Sequence, residues 1–181
     1  MRFRFFSRIN RPLGTLLSMI MVVMGLNSCA GYKLTGQRPQ ALAHVQSIRV
    51  PLFENKTLIP RGEVLATNSI VDAITSDGTY RIADDSKADA SLHGSVESVS
   101  YNQVRSTRLD TLRSEELENT IIIRWELRDA KNPLKVLARG KAEGSSRFAI
   151  DGNLQTARTN ALPDAMQRAA TQVVGRLTDD Y

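Results

Sequence analysis

Cysteine and histidine are scarce in this 181-residue chain, which has one cysteine and two histidines. The single cysteine, Cys29, leaves no partner for an intramolecular disulfide and no thiolate cluster for a structural zinc site. Because metal sites commonly take three or four ligands, His44 and His93 do not suffice for a metal centre, and we expect a structural role for His93. The sequence also lacks HExxH, GxSxG and GxxxxGK[ST] motifs. These absences predict a protein that binds partners, with no catalytic residues and no cofactor.

Long apolar segments are lacking too, apart from one near the amino terminus. Four arginines precede an apolar run over residues 13–26, and this run is shorter than the about 20 residues of a membrane-spanning helix. A positive start followed by a short apolar run is typical of a secretory signal. The run ends at Leu26-Asn27-Ser28-Cys29, which resembles the lipobox of bacterial lipoproteins. We therefore predict cleavage before Cys29 and lipidation of its sulfur.

Lipidation also accounts for the lone thiol of Cys29. An ordinary signal peptide with an incidental cysteine is the alternative, but it leaves a free thiol in an exported protein unexplained. A diacylglycerol on the sulfur and an acyl chain on the new amine are two anchoring signals, which give stable membrane attachment.

Most of the positive charge lies in the predicted signal. Four of the 24 basic residues precede residue 28, so the net charge falls by four, from +5 to +1, when the signal is removed. A nearly neutral chain gives no ground for nucleic-acid binding. We divide the chain into a signal peptide at 1–28, a lipid-anchored tether at 29–44 and a single domain at 45–181. That domain is large enough to bury a core without disulfides.

The apolar pattern of the domain alternates between strand and helix periods. Its predicted strands cover residues 46–53, 80–83, 89–104, 117–128 and 135–148, and its predicted helices cover 61–76 and 162–177. Pro51 cannot donate to a ladder and is expected at a strand end or an unpaired edge position. Asn55 and Thr57 are expected to stabilise the following turn, and Gly78 to cap the first helix. The apolar parity changes near Glu97, which predicts a β-bulge. Pro163 fits the first turn of the second helix.

The strand at 135–148 has small residues on one side, which leaves room for a helix to lie close. They are Val136, Ala138, Gly140, Ala142 and Gly144. With the long elements in the order β-α-β-β-β-α, the predicted fold class is α+β. It is a two-layer sandwich in which two helices pack on a mixed four-stranded sheet.

Arginines are the candidate binding residues. Arg105, Arg108 and Arg113 crowd the tip of the predicted long hairpin, and Arg158 lies just before the predicted last helix. Arginine presents a fork of donors suited to phosphate or carboxylate. For the hairpin tip, anion binding and an ordinary solvated surface both stay open. For the strand-face residues Arg124, Arg128, Arg139 and Lys141, interleaved glutamates favour an ordinary solvated face.

Several segments, taken in order, resemble one protein family. They are Cys29 to Leu34, the pattern Ile48-x-Val50-x-x-Phe53-x-Asn55-x-Thr57, the strand pattern from Ala88 to Val96, and the helix pattern from Arg168 to Leu177. Together they resemble the lipopolysaccharide-assembly lipoproteins, the LptE family, over almost the whole chain after residue 28.

The resemblance implies a lipoprotein of the outer membrane in a Gram-negative cell. It implies that the domain plugs a large β-barrel lipopolysaccharide translocon (an LptD-like partner), assists that barrel's assembly and binds lipopolysaccharide. It further implies contacts with lipopolysaccharide from basic residues near the end of the second long strand and before the last helix. The matching positions are Arg108 or Arg113, and Arg158, which would bond to lipid phosphates. Arg105, at the same hairpin tip, is a further candidate for lipopolysaccharide binding.

Two other function classes are weighed against this one. The pattern from Val50 to Thr57 also occurs in outer-membrane lipoproteins that regulate peptidoglycan synthases and in secretion-pore lipoproteins. Such a regulator usually has a longer tether, whereas the segment after Cys29 spans at most about 50 Å when extended. A periplasmic hydrolase would need a nucleophile and base pair, for which the sequence offers no candidate.

Overall fold

The structure, a computed structural model, describes residues 38–106, 114–150 and 152–179. In these stretches lie a short 3-10 helix (Gln40–Leu42), followed by six strands and two α-helices. They are β1 (Ser47–Arg49), β2 (Glu54–Asn55), α1 (Gly62–Asp77), β3 (Arg81–Ile82), β4 (Ala90–Ser106), β5 (Ser114–Asp129), β6 (Val136–Ala149) and α2 (Leu154–Thr178). Neither helix is long and apolar enough to cross a membrane.

The strands form one mixed sheet, and the predicted α+β class is confirmed. The strand order is β3-β1-β4-β5-β6, with β2 pairing with β4 beside this path. The three short strands pair in parallel, whereas β4, β5 and β6 form an antiparallel meander. The sheet has six strands instead of four. Of the first predicted strand only β1 forms, since Pro51 has no N–H to donate; pairing resumes at β2, just beyond the predicted strand, and the short β3 joins the sheet beside β1.

A β-bulge changes the core-facing side of β4 halfway along the strand. The register with β5 shifts immediately after Val96, which lies opposite Ile123, while Val99 lies opposite Ile121. Both isoleucines are fully buried. The bulge predicted near Glu97 is therefore confirmed. Without the extra residue, every later side chain of β4 would turn to the wrong face.

Asn55 and Thr57 hold the loop between β2 and α1. Asn55 Nδ2 donates to Ile59 O at 2.8 Å and to Glu63 Oε2 at 3.1 Å. Asn55 Oδ1 accepts from the backbone N–H of Thr57 at 3.0 Å and from its hydroxyl at 2.7 Å. Gly62 lies against this amide, since an added Cβ would be 3.0 Å from Asn55 Nδ2. The turn-stabilising role predicted for these two residues is confirmed, and it fixes where α1 begins.

Helix α2 lies directly on β6, as the small residues of that strand predicted. At Gly144 there is no room for a side chain, because an added Cβ would overlap the carbonyl oxygen of Ala165 and the amide of Ala169. Ala142, on the same side of β6, is fully buried. The close approach of helix and strand is thus a direct consequence of the residue size at Gly144.

Helix α2 begins ahead of its predicted start. Asn153 is the N-cap, and its Oδ1 accepts from the N–H groups of Gln155 at 2.8 Å and Thr156 at 3.2 Å. Pro163 consequently lies inside the helix, and its predicted place in the first turn was wrong. A proline there removes one bond to the preceding turn, but the helix continues because its buried face packs on the sheet on both sides of Pro163.

The carboxyl end of α2 is tied to the turn that follows α1. Gly78, with φ 76°, caps α1 in the left-handed conformation, as predicted. Close to it, the Tyr80 hydroxyl donates to Leu177 O at 2.8 Å, and burial raises the pKa of Tyr80 to about 12. With this end fixed, the amino-terminal half of α2 extends over the opposite end of the sheet.

Candidate functional site

The end of the sheet where β4 leads into β5 carries a group of polar and aromatic side chains beneath α2. Tyr101 of β4 pairs with Asn119 of β5, which pairs with Ser146 of β6. Phe148 meets Tyr101 edge to face, with ring centres 6.4 Å apart. We call this region the hairpin end and define it by Tyr101, Asn119, Phe148 and Arg158.

Arg158 is held over the Tyr101 ring. Its guanidinium carbon lies 4.6 Å from the ring centre, within the range of a cation–π interaction. Burial raises the pKa of the Tyr101 hydroxyl, and the nearby Arg158 charge partly opposes that rise. Arg158 Nε is buried and has no hydrogen-bond partner among the described residues. The ring thus orients a guanidinium that still has an unused donor.

Asn119 supplies a second unused donor at the hairpin end. Its side chain is fully buried, and its Oδ1 accepts from the Ser146 N–H at 3.1 Å. Its Nδ2 has no partner within the described part of the chain. A buried donor without a partner costs about 1–3 kcal/mol. Two such donors beside Tyr101 make this region suited to a ligand that offers acceptor oxygens.

A groove of about 480 Å³ runs beside this region, between β6 and the first half of α2. Its lining includes the apolar side chains of Phe148, Ala157 and Ala161 and the polar side chains of Asn160 and Asp164. Hydrogen bonds from Ser146 and Arg168 lower the pKa of Asp164. The groove therefore combines apolar and polar side chains, which suits amphipathic groups.

Only one of the four predicted binding arginines lies fully within the described structure. Arg158 is inside α2, since the helix begins earlier than predicted. The backbone of Arg105 is in β4, opposite Glu116, but its side chain is outside the part of the chain that the structure describes. Arg108, Arg113 and the predicted lipidation site Cys29 also lie outside them.

Of the four basic strand residues expected on the open face of the sheet, Arg124 and Arg128 form ion pairs. Arg128 Nη2 lies 2.8 Å from Glu126 Oε2, and Arg124 Nε lies 3.4 Å from Glu97 Oε1. These pairs agree with the ordinary solvated face expected for both arginines. Arg139 and Lys141 of β6 are exposed on the same face.

His93 is the one histidine of the sheet, and its contacts are those of a structural residue. Its Nε2 lies 3.0 Å from the Ser91 hydroxyl. Burial lowers the pKa of His93, and the charges of Arg128 and Arg49 add to this effect. Within residues 38–106, 114–150 and 152–179, no three histidine, cysteine or acidic side chains cluster as metal ligands would.

The sequence-based interpretation missed Tyr101 and Asn119. A signal for Asn119 was present, because it shares the parity of Ile121 and Ile123 and so places an amide on the core face of β5. No sequence signal joins Tyr101 to Arg158, which come together only through the packing of α2 on the sheet.

Comparison with models of known protein families shows which family the chain belongs to. Residues 45–177 match the family model described as LptE, lipopolysaccharide-assembly. The chain belongs to the LptE family. Membership makes it a lipoprotein of the cell envelope with a role in lipopolysaccharide assembly, and the family is not one of enzymes.

Two solved structures share the fold of this LptE-family chain. The hypothetical protein CT253 from Chlamydia trachomatis has a TM-score of 0.52 at 7% identity, with 73% of this chain and 95% of that one covered. Protein XCC0632 from Xanthomonas campestris has a TM-score of 0.51 at 16% identity, with 80% and 89% covered. At these identities the likeness concerns the fold alone. No curated protein sequence matches this chain significantly.

Proposed function

We propose that this LptE-family lipoprotein is anchored in the outer membrane through Cys29 and acts inside a large β-barrel translocon for lipopolysaccharide. In this role it plugs the barrel, assists the barrel's assembly and binds lipopolysaccharide during delivery to the cell surface. The family match over residues 45–177 is the observation that carries the proposal. A peptidoglycan-synthase regulator of similar fold is the competing role that the first experiment must exclude.

Within this role, we propose that the hairpin end contacts the lipid phosphates. Arg158 is positioned by Tyr101 and keeps a donor free, and guanidinium groups bond strongly to phosphate oxygens. Arg105 is in β4, and Arg108 and Arg113 lie in the sequence between the paired residues Ser106 and Ser114; we propose that they add to the same contact. The groove beside Phe148 offers an apolar surface close to Arg158.

The first test is the identity of the partner. The tagged, lipidated chain is purified from native outer membranes in mild detergent, and the co-purifying proteins are identified by mass spectrometry. We expect a stoichiometric β-barrel whose gel migration changes on heating. Recovery of a peptidoglycan synthase without a barrel would refute the plug proposal. Cys29→Ala in the same strain should abolish globomycin-sensitive processing and leave the chain unanchored.

The second test concerns Arg158 alone. Arg158→Ala should weaken binding of purified lipopolysaccharide about fivefold to twentyfold, as expected for one lost charge-assisted bond. It should also reduce the dependence of binding on salt. Arg168→Ala is the matched control, because Arg168 is an exposed arginine of the same helix that pairs with Asp164 at 3.1 Å. Equal affinities for both variants across a salt series would remove Arg158 from the site.

A further inference from the structure

The outer edge of β6 is a long stretch of backbone that no strand of the described residues pairs with. This strand has 14 residues, and within the described chain it pairs with β5 alone. Long free edges are a hazard because their N–H and C=O groups can pair with another strand, and proteins usually cover or shorten them. Here one side chain covers a single position, where Gln172 Oε1 accepts the N–H of Glu143.

The contact between Glu143 and Gln172 identifies the backbone groups that face outward. In an antiparallel ladder, alternate residues direct their N–H and C=O groups to the same side. The neighbouring residue on the other parity, Ser146, directs its N–H to Asn119 of β5. The other residues of β6 that share the outward parity of Glu143 are Arg139, Lys141, Ser145 and Arg147.

The side chains along this edge are predominantly basic on the open face of the sheet. Arg139 and Lys141 are exposed, and no described carboxylate forms an ion pair with either. Arg147 is also exposed and pairs with Glu118, and Glu143 is the one acidic residue among them. Because opposite charges on facing strands attract, an added strand that places carboxylates beside Arg139 and Lys141 is favoured.

The other face of the same edge offers an apolar groove. The groove between β6 and α2 lies beside residues 146–149, and Phe148, Ala157 and Ala161 form its apolar surface. In an added strand, alternate side chains point to opposite faces of the sheet. Those directed toward α2 would enter this groove, while their neighbours would meet the basic face.

We propose that the β6 edge binds an extended segment of a partner protein as an additional strand, and that this segment alternates acidic and apolar residues. Backbone bonds to the outward groups of β6 supply affinity, and the two faces of the edge supply specificity. The proposed strand site shares the groove beside Phe148 with the hairpin end, but the backbone pairing along β6 requires neither the barrel nor bound lipopolysaccharide.

The experiment uses the full, lipidated chain in detergent and a labelled synthetic heptapeptide that alternates valine and glutamate. A peptide of the same composition with its valines and glutamates in two blocks is the control. We expect saturable binding of the alternating peptide, and slower hydrogen exchange at the amides of Lys141, Ser145 and Arg147. Equal binding of both peptides, or unchanged exchange at these amides, would overturn the proposal.

Two variants separate backbone pairing from charge. Lys141→Pro removes an outward N–H and should weaken binding about tenfold or more, with the near-ultraviolet signal of Trp125 as the check on folding. Lys141→Glu should change the preference toward a valine–lysine peptide, whereas Arg168→Glu, with the same change in net charge, should not. If Lys141→Pro does not fold, the change in peptide preference decides the question. A self-dimer that Lys141→Pro disrupts would instead assign the edge to a second copy and overturn the proposal.

Discussion

Gly144→Ala is the sharpest test of how α2 is positioned on the sheet. The added Cβ would overlap the backbone of Ala165 and Ala169. Because these are backbone atoms, no flexible side chain can move aside, and the helix itself must shift. Overpacking of this kind costs about 1–3 kcal/mol. The lower entropy of the unfolded alanine chain returns about 0.4–1 kcal/mol. We therefore expect a net loss of about 1–2 kcal/mol.

Gly175→Ala, within α2 itself, is the control, and its expected effect on the free energy of unfolding has the opposite sign. A Cβ at Gly175 meets nothing within 4 Å, so the change adds no overlap. Replacing a helix-interior glycine by alanine should stabilise the chain by about 0.5–1 kcal/mol. The two variants thus make the same chemical change, one on α2 and one on the strand beneath it, and they differ in the space around the added methyl group and in the secondary structure at the site.

The assay is urea unfolding followed by the fluorescence of Trp125. This is the single tryptophan of the chain, and it is buried in the core. The loss in unfolding free energy expected for Gly144→Ala corresponds to a fall in Tm of about 2–8 °C for a domain of this size. A Gly144→Ala variant within about 0.5 kcal/mol of the parent would refute the close packing of α2 on β6. Lipopolysaccharide binding should fall with stability, because the shifted helix carries Arg158.

Three further predictions concern single polar side chains. Asn55→Ala should cost about 1–3 kcal/mol in the same unfolding assay, because several loop groups lose their partner at once. Glu97 accepts bonds from Lys56 and Ser95, which lower its pKa from 4.5 to about 2. The ionised Glu97 carboxylate therefore stabilises the fold above pH 4.5, and this stabilisation is lost as the pH falls toward 2. Glu97→Gln should flatten the dependence of the unfolding free energy on pH in that window. Asn119→Leu removes an unsatisfied donor but also takes the acceptor of the buried Ser146 N–H, so it should cost about 1–3 kcal/mol, and it should weaken lipopolysaccharide binding measured by titration.

Features with a local chemical cause could be predicted from the sequence. Pro51 lacks an N–H and interrupts the first strand, and the parity change near Glu97 marks a real bulge. Gly78 takes the left-handed conformation that ends α1. In each case one residue type, or one break in a short pattern, decides the geometry without reference to distant parts of the chain.

Features that depend on tertiary packing were predicted less well. The start of α2 was misplaced because Pro163 also fits the first turn of a helix. The true N-cap is Asn153, which only its hydrogen bonds from the N–H groups of Gln155 and Thr156 distinguish from an ordinary loop residue. The contact between Arg158 and Tyr101 joins a helix to a strand far away in sequence. It exists because Gly144 lets the helix approach, and no local pattern contains that information.

The hairpin end differs from most of the core in one respect that bears on function. Elsewhere the core face of the sheet carries mainly aliphatic residues such as Ile121 and Ile123, which need no partners, although the buried Nε1 of Trp125 also lacks a partner among the described residues. At the hairpin end the same face carries Asn119, and α2 adds Arg158, each with a buried donor that no described residue satisfies. A region serving stability alone would gain from apolar side chains at these positions. The unused donors instead favour a ligand with acceptor oxygens, which is the chemistry of the phosphates on lipopolysaccharide.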